Sequence, residues 1–144
     1  MDPVRPVPDL FRDLSIDCRR CHGLCCAALY FAKAEGFPED KAPGVPCRYL
    51  ASDFRCRVHE DLLPRGFRGC AAYDCFGAGQ KVSQRHYPGR NWQGEPDLLE
   101  EECRTFLAVY ALHQMLWYLA EARELAEGDA VLEREIVACW EELR

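Results

Sequence analysis

The clearest alternation of hydrophobic and polar positions lies in the last third of the chain. From Pro96 to about Glu127 no residue breaks a helix, and apolar or aromatic side chains recur every three or four positions. The repeating positions are Leu99, Cys103, Phe106, Tyr110, His113 and Trp117. Pro96 suits a first helical position, and the acidic residues after it suit the positive end of a helix dipole. The pattern predicts one long amphipathic helix.

A second, shorter helix is predicted over residues 130–143. Gly128 can take the left-handed conformation that ends the first helix, and Asp129 can cap the second. The second apolar stripe consists of Leu132, Ile136, Cys139, Trp140 and Leu143. Because two amphipathic helices joined by so short a turn lie antiparallel, residues 96–144 are predicted to form a helical hairpin.

The beginning of the chain has no such periodicity. Its prolines predict an extended arm over residues 1–14, with one amphipathic turn that places Leu10, Phe11 and Leu14 on the same side. A short helix is predicted from Cys18 to about Phe31, bent or interrupted by a glycine. Beyond it, turn residues divide the chain up to residue 75 into short pieces, and the Gly-rich stretch 77–96 has the composition of a loop.

These patterns predict a single, mainly α-helical domain over residues 1–144. An irregular cysteine-rich region over residues 15–80, made of short helices and turns and held together by metal, is expected to pack on the hairpin. The segment "FLAVYALHQMLWYLAEA" is apolar on more than one face, which a two-helix hairpin cannot cover by itself. The positions off its main stripe are Leu107, Leu112, Met115 and Tyr118. We expect the cysteine-rich region and a protein partner, or a second copy in a homodimer, to cover them.

Composition and charge narrow the class of protein. The chain of 144 residues has a formal net charge of -6, so nucleic acid is not expected as a partner. No stretch reaches the roughly 18 apolar residues that a membrane span needs, and the first residues do not form a secretory signal. We therefore expect no membrane partner and a cytoplasmic location, where thiols stay reduced.

The cysteines are the strongest chemical signal in the sequence. Eight of the ten lie in its least hydrophobic part: Cys18, Cys21, Cys25, Cys26, Cys47, Cys56, Cys70 and Cys75. Core cysteines are not distributed in this way, whereas zinc, iron and iron–sulfur sites use closely spaced thiolates. The sequence predicts zinc, with more than one ion allowed by the number of thiols, or alternatively iron or an iron–sulfur cluster. Cys103 and Cys139 lie on the apolar stripes, and we interpret both as ordinary buried residues.

Cys25 and Cys26 are adjacent, which restricts how they can be used. Neighbouring side chains diverge by about 100° on a helix and point to opposite faces on a strand. We therefore expect the two thiols to serve two centres, or one multinuclear cluster, instead of binding one tetrahedral ion side by side.

The motif "CRRCHGLCC", followed by "PCRYLASDFRCRVH" and "RGFRGCAAYDC", resembles the zinc- or iron-chelating family named for its Cys-x2-Cys-x2-Cys-Cys motif. It is also similar to the cysteine-rich N-terminal region of some bacterial pentapeptide-repeat proteins, without the repeats. The resemblance spans about residues 15–80 and implies that the same eight cysteines are the metal ligands. The first cluster departs from the motif because three residues, not two, separate its second and third cysteines.

Other candidates are weaker. His22 and His59 lie close to cysteines, but eight thiols suffice as ligands, so the histidines are interpreted as supporting or exposed residues, and His113 as a hydrogen-bonded core residue. Gly77, Gly79 and Lys81 suggest phosphate binding, but their spacing is not that of a P-loop, and we interpret them as part of a flexible loop.

Three functions remain open from the sequence. The first is a metal-binding protein whose metal is structural or is delivered to a protein partner. The second is an iron–sulfur redox accessory protein or enzyme, and the third is a thiol redox sensor without metal. No set of nucleophile, base and oxyanion-stabilising residues converges in the sequence, so we do not expect an enzyme.

Overall fold

The computed structural model describes residues 8–144, and its C-terminal part is the predicted helical hairpin. A 3₁₀ turn at Pro96–Leu98 leads into α4 (Leu99–Leu125), which is followed by α5 (Ala130–Leu143). Gly128 has φ 91°, and the Asp129 side chain accepts a hydrogen bond of 3.0 Å from the Leu132 amide. The C-terminal stop and the N-cap that the sequence predicted are therefore confirmed.

The cysteine-rich part consists of short helical segments. They are α1 (Leu24–Ala28), α2 (Arg68–Ala72) and α3 (Ala78–Lys81), with 3₁₀ turns at Cys18–Arg20, Lys33–Glu35 and His59–Asp61 and a π-helical turn at Val82–His86. Within residues 8–144 the only β pairing consists of two isolated bridges, Phe31 with Lys41 and Leu50 with Cys56. The mainly α fold, with a cysteine-rich part packed on the hairpin, is confirmed.

One hydrophobic cluster joins the cysteine-rich part to the hairpin. Leu24 of α1, Val82 after α3 and Phe106 of α4 are fully buried, and all three belong to this cluster. Burying an aliphatic or aromatic side chain of this size contributes about 1.5–3 kcal/mol. The packing therefore fixes the position of α1, which carries Cys25 and Cys26, on the long helix.

A second hydrophobic cluster joins the N-terminal turn to the two hairpin helices. Leu10 and Leu14 pack with Leu116, Ile136 and Trp140, and the Trp140 indole N–H donates to the Leu10 carbonyl at 3.2 Å. The amphipathic turn predicted at "DLFRDL" is confirmed, while residues 1–7 of the predicted arm lie outside the described residues.

The prediction of a loop over residues 77–96 is wrong for its first half. Residues 78–86 form α3 and the π-helical turn, in spite of two glycines. Ala78 and Val82 are fully buried, and Gly79 lies so close to Cys21 that a β-carbon there would be 2.6 Å from its sulfur. Tertiary packing, which needs a small residue at this contact, overrides the low helix propensity of glycine.

The prediction that Cys139 is buried is also wrong, because its side chain is exposed. On α5 only Ile136 and Trp140 are buried, while Leu132 is 44% exposed. Within the described part of the chain, only α4 and the N-terminal turn pack on α5, and together they cover only part of its apolar stripe.

The second apolar face of α4 stays uncovered. Leu107, Leu112, Met115 and Tyr118 have exposed fractions of 40–58%. The cysteine-rich part packs on the opposite side of the helix, so the expectation that it also covers these residues is wrong. A protein partner or homodimer on this face stays a prediction. Among residues 8–144 no helix is long and apolar enough to cross a membrane.

Candidate metal centre

Most of the predicted ligands meet at one cavity. A cavity of about 500 Å³ is bordered by seven of the eight cysteines, Cys18, Cys21, Cys25, Cys26, Cys47, Cys56 and Cys70. They come from distant segments: the 3₁₀ turn and α1, the chain around residues 47 and 56, and α2. All ten cysteines of the chain are free thiols in the structure. The cluster that the sequence predicted is therefore a cluster in space.

Cys75 lies next to the cavity and is buried. A β-carbon built on Gly79 would be 2.6 Å from the sulfur of Cys21 and 3.8 Å from that of Cys75. Both sulfurs therefore lie next to Gly79 of α3, and Cys75 is close to Cys21. Backbone N–H groups of Gly77 and Gly79 point at the Cys75 thiol and oppose the rise in its pKa that burial causes.

Cys25 and Cys26 do not diverge as predicted, since their sulfur atoms lie 3.9 Å apart. The two Cα–Cβ bonds leave α1 in different directions, and the side-chain rotamers bring the sulfurs together. Two thiolates on one zinc ion are about 3.8 Å apart, given Zn–S bonds of about 2.3 Å in tetrahedral geometry. This separation would allow both sulfurs to bind one ion, so the expectation that they serve two centres or one multinuclear cluster stays a prediction.

The two adjacent thiols nevertheless have different neighbours. The pKa of Cys70 is raised to about 12, mainly by burial and further by the nearby Cys26, Cys47 and Cys56 thiols. Cys25, in contrast, interacts with Cys26, Cys21 and Cys18, and its pKa is raised by the hydrogen bond with Cys26 and by burial. The thiols thus fall into two groups that meet at the adjacent pair. One group is Cys18, Cys21, Cys25 and Cys75, the other is Cys26, Cys47, Cys56 and Cys70, and Cys18 also lies near Cys26 and Cys56 of the other group.

Lys41 places a positive charge beside the second group. Its side chain is 8% exposed, lies 4.5 Å over the Phe31 ring, and donates to the carbonyls of Leu29, Ala27 and Ala42. The hydrogen bond from Cys25 and the Lys41 charge lower the pKa of Cys26. Because a lysine in a loop of ordinary composition has no distinguishing signal, the sequence analysis missed it.

A buried histidine–glutamate pair holds the turn that carries Cys21. His22 Nδ1 lies 3.1 Å from a carboxylate oxygen of Glu102, which is fully buried on α4, and burial raises the pKa of that carboxyl. The His22 amide donates to the Ser83 hydroxyl at 2.8 Å, and its carbonyl accepts from the Trp92 indole at 2.8 Å. Three elements therefore fix this turn. The interpretation of His22 as a supporting residue stays a prediction, and Glu102 was not singled out from the sequence.

Most of the remaining lining of the cavity is apolar. Leu29, Phe31 and Phe37 exclude water from the thiols, and the hydroxyl of Tyr73 is buried without a hydrogen-bond partner among residues 8–144. A buried donor normally has an acceptor, and a metal-bound thiolate is one. His59 also borders the cavity but is exposed.

The chemistry of the thiol donors fits a thiophilic metal. Their spacing in the structure fits one less closely. Within residues 8–144, no three His, Cys, Asp or Glu side chains are already arranged around a common point as ligands of one ion. Soft thiolates are nevertheless the donors that zinc and iron–sulfur clusters take, and the Cys25–Cys26 separation matches one edge of such a site.

The fold and this cavity define a mainly helical protein with a cysteine cluster packed on a helical hairpin. Over 110 residues the chain is 53% identical to the uncharacterized protein YybG of Bacillus subtilis (strain 168). The aligned part is 76% of this chain and 39% of YybG, so the chain spans well under half the length of that relative. No family model and no solved structure matches the chain.

Proposed function

We propose that this protein binds zinc or iron through the eight clustered cysteines, with the metal either structural or delivered to a protein partner. The observation that carries the proposal is the cavity itself. Segments up to 52 positions apart in sequence, from Cys18 to Cys70, bring seven reduced thiols to one space. Unpaired thiols do not gather in this way for packing alone, because cysteines that act as small apolar residues do not need one another.

The grouping of the thiols supports two metal ions with four thiolates each. Four cysteines match the ligand number of a structural zinc ion, and the two groups contain four each. Cys25 and Cys26 belong to different groups while their sulfurs are 3.9 Å apart. The two ions would therefore be close neighbours, and this pair is the natural position for a shared or bridging thiolate.

The surrounding residues support thiolate ligands. The Lys41 ammonium group offsets the negative charge at Cys26, the Tyr73 hydroxyl is free to donate to a sulfur, and the Glu102–His22 pair holds the first turn in place. Cys18 is exposed at the rim of the cavity while Cys47 and Cys75 are buried. An exposed ligand at the rim is where exchange of metal with a partner would begin. Clustered thiols that stay reduced support a cytoplasmic location.

The test is the metal content per chain and the visible absorption spectrum of protein purified anaerobically. The proposal expects zinc or iron bound in stoichiometric amount and few thiols that titrate before denaturation. Strong visible absorption with inorganic sulfide would instead identify the iron–sulfur alternative. A folded protein without metal, with eight titratable thiols that form reversible disulfides under peroxide, would replace the proposal by the thiol sensor.

A further inference from the structure

A second cavity, of about 560 Å³, lies on the other side of α3 and of the 3₁₀ turn Cys18–Arg20. It shares no lining residue with the cysteine cavity. Its walls are the N-terminal turn, the helical segment 77–85, the middle of α4 and the end of α5. The volume is within the usual range of small-molecule sites, about 300–1,000 Å³.

Positive charge gathers in this cavity although the chain as a whole has a net charge of -6. Five basic side chains line it, Arg12, Arg20, Lys81, Arg85 and Arg144, against one acidic residue, Asp13. The ion pairs that residues 8–144 form with arginine use other side chains, Arg19, Arg48 and Arg90. Among the described residues, Asp13 is therefore the one acidic side chain that lines the cavity beside these cations.

The helical segment 77–85 presents its basic residues on one face. Lys81 and Arg85 are four positions apart, so their side chains point in nearly the same direction. Gly77 has φ 80°, and a β-carbon there would collide with the Asp13 carbonyl oxygen. The glycine therefore allows the N-terminal turn to close the cavity against this helix.

Two glutamines fix the neighbouring wall. Gln80 accepts a hydrogen bond from the Asp17 amide at 3.2 Å and donates to the Ser15 carbonyl at 2.6 Å. Gln84 donates to the Arg20 carbonyl at 2.8 Å. These bonds hold the backbone of Arg20 beside Lys81 before any ligand arrives, which reduces the entropy cost of binding.

A buried polar atom without a partner lies beneath the floor of the cavity. His113 is 2% exposed, its Nδ1 donates to the Phe76 carbonyl at 2.6 Å, and its Nε2 is buried without a hydrogen bond within the described chain. Buried polar atoms are normally bonded, so this nitrogen indicates a missing partner. The neutral ring accepts a hydrogen bond at Nε2, and the protonated ring donates one.

We propose that this cavity binds a small organic phosphate. The basic side chains would hold the phosphate group, since arginine pairs with phosphate oxygens in a bidentate way. Trp140, which carries the Arg144 guanidinium 5.0 Å over its ring, and Leu116 form the apolar part of the lining beside the organic group, and the His113 ring is buried beneath them. The net charge of -6 argues against a nucleic acid strand as the ligand.

The test is isothermal titration calorimetry of the full chain at low ionic strength, with phenyl phosphate, inorganic phosphate and citrate as probes. Phenyl phosphate is expected to bind saturably, and about tenfold more tightly than inorganic phosphate because its ring contacts the apolar floor. The double variant Lys81→Gln/Arg85→Gln is expected to weaken binding of phenyl phosphate by at least about tenfold. The matched control, Arg65→Gln/Arg104→Gln, removes two exposed charges elsewhere and is expected to bind as the wild type does.

Further outcomes decide the proposal. Titration with phenyl phosphate should shift the imidazole ¹⁵N resonances of His113 and leave those of His86 in place, with circular dichroism showing that each variant is folded. No saturable binding, an equal loss in the control variant, or citrate binding as tightly as phenyl phosphate would overturn the assignment to an organic phosphate.

Discussion

At the scale of single residues, Lys41 shows how one charge is kept inside an apolar part of the fold. Its ammonium group bonds to carbonyls of Ala27, Leu29 and Ala42 and lies near the thiols of Cys26 and Cys47. Burial lowers its pKa, and the thiols and Glu39 oppose that shift. The residue links the loop around position 41 to the end of α1, and so positions the second group of thiols.

Replacing Lys41 by Met is expected to lower the free energy of unfolding by about 1–3 kcal/mol, because buried carbonyl acceptors lose their donor. The measurement is the midpoint of urea unfolding followed by circular dichroism. Lys33→Met is the matched control, since Lys33 is exposed, and should change stability by less than about 0.5 kcal/mol. Equal effects in both variants would contradict the structural role of Lys41.

His113 predicts a pH dependence of stability. Burial, with the charge of Lys81, lowers its pKa below the ordinary value of 6.5, against the opposing effects of the Phe76 carbonyl and Asp13. The unfolded chain then binds a proton more readily than the folded one, so stability falls as pH drops below about 6.5. The slope of unfolding free energy between about pH 7.5 and 5 should be reduced in His113→Gln and unchanged in His86→Gln. The same slope in all three proteins would contradict the account.

At the scale of elements, α3 depends on a close contact between Gly79 and Cys21. In an open helix, Gly79→Ala would stabilise the helix by about 1 kcal/mol, because alanine has the higher helix propensity. Here, however, the added β-carbon would lie 2.6 Å from the Cys21 sulfur. We expect a net loss of stability of about 1–3 kcal/mol, as for overpacking elsewhere. Thermal unfolding checks it, with Gly94→Ala as the control, because the nearest atom to a β-carbon there is the Asn91 side-chain oxygen at 3.3 Å. A variant more stable than the wild type would disprove the contact.

The elements also show what sequence reasoning can and cannot reach. The hairpin was predictable because a sustained repeat of apolar positions, a glycine and a capping aspartate all indicate the same structure. The helix at residues 78–86 was not, since its glycine is required by a neighbour, Cys21, that is distant in sequence. The burial of Cys139 was wrongly predicted for a similar reason, because only tertiary contacts decide how much of an apolar stripe is covered.

The candidate site divides in the same way. The eight cysteines were predictable from their clustering, since the residue type itself carries the chemistry. Lys41 and Glu102 were not, because a buried charge has the same letter in the sequence as an exposed one. The direction of the Cys25 and Cys26 side chains depends on rotamers, which backbone geometry alone does not determine.

At the scale of the whole molecule, two hydrophobic clusters stabilise different parts of the fold. The hairpin and the N-terminal turn share one, while α1 and α3 pack on α4 in the other. The segments that carry Cys47, Cys56 and Cys70 contribute few of the buried apolar residues, so metal binding is expected to supply part of their folding energy.

Removal of metal should therefore act unevenly along the chain. After treatment with a strong chelator, amide hydrogen exchange is expected to accelerate in residues 40–75 and to stay slow in the middle of α4. Uniform acceleration along the chain, or none at all, would contradict the proposed stapling of this region by metal.

The central claim is that the clustered thiols are metal ligands, and the most direct measurement is metal bound per chain in two matched double variants. One is Cys25→Ser/Cys26→Ser, which removes the pair where both thiol groups meet, and the other is Cys103→Ala/Cys139→Ser, which removes the two cysteines outside the cluster. All proteins are purified anaerobically, and circular dichroism verifies that they are folded. The account predicts the wild-type metal content in the second variant and loss of most or all metal in the first. Equal metal content in the wild type and in both variants, or no metal in the wild type, would contradict it.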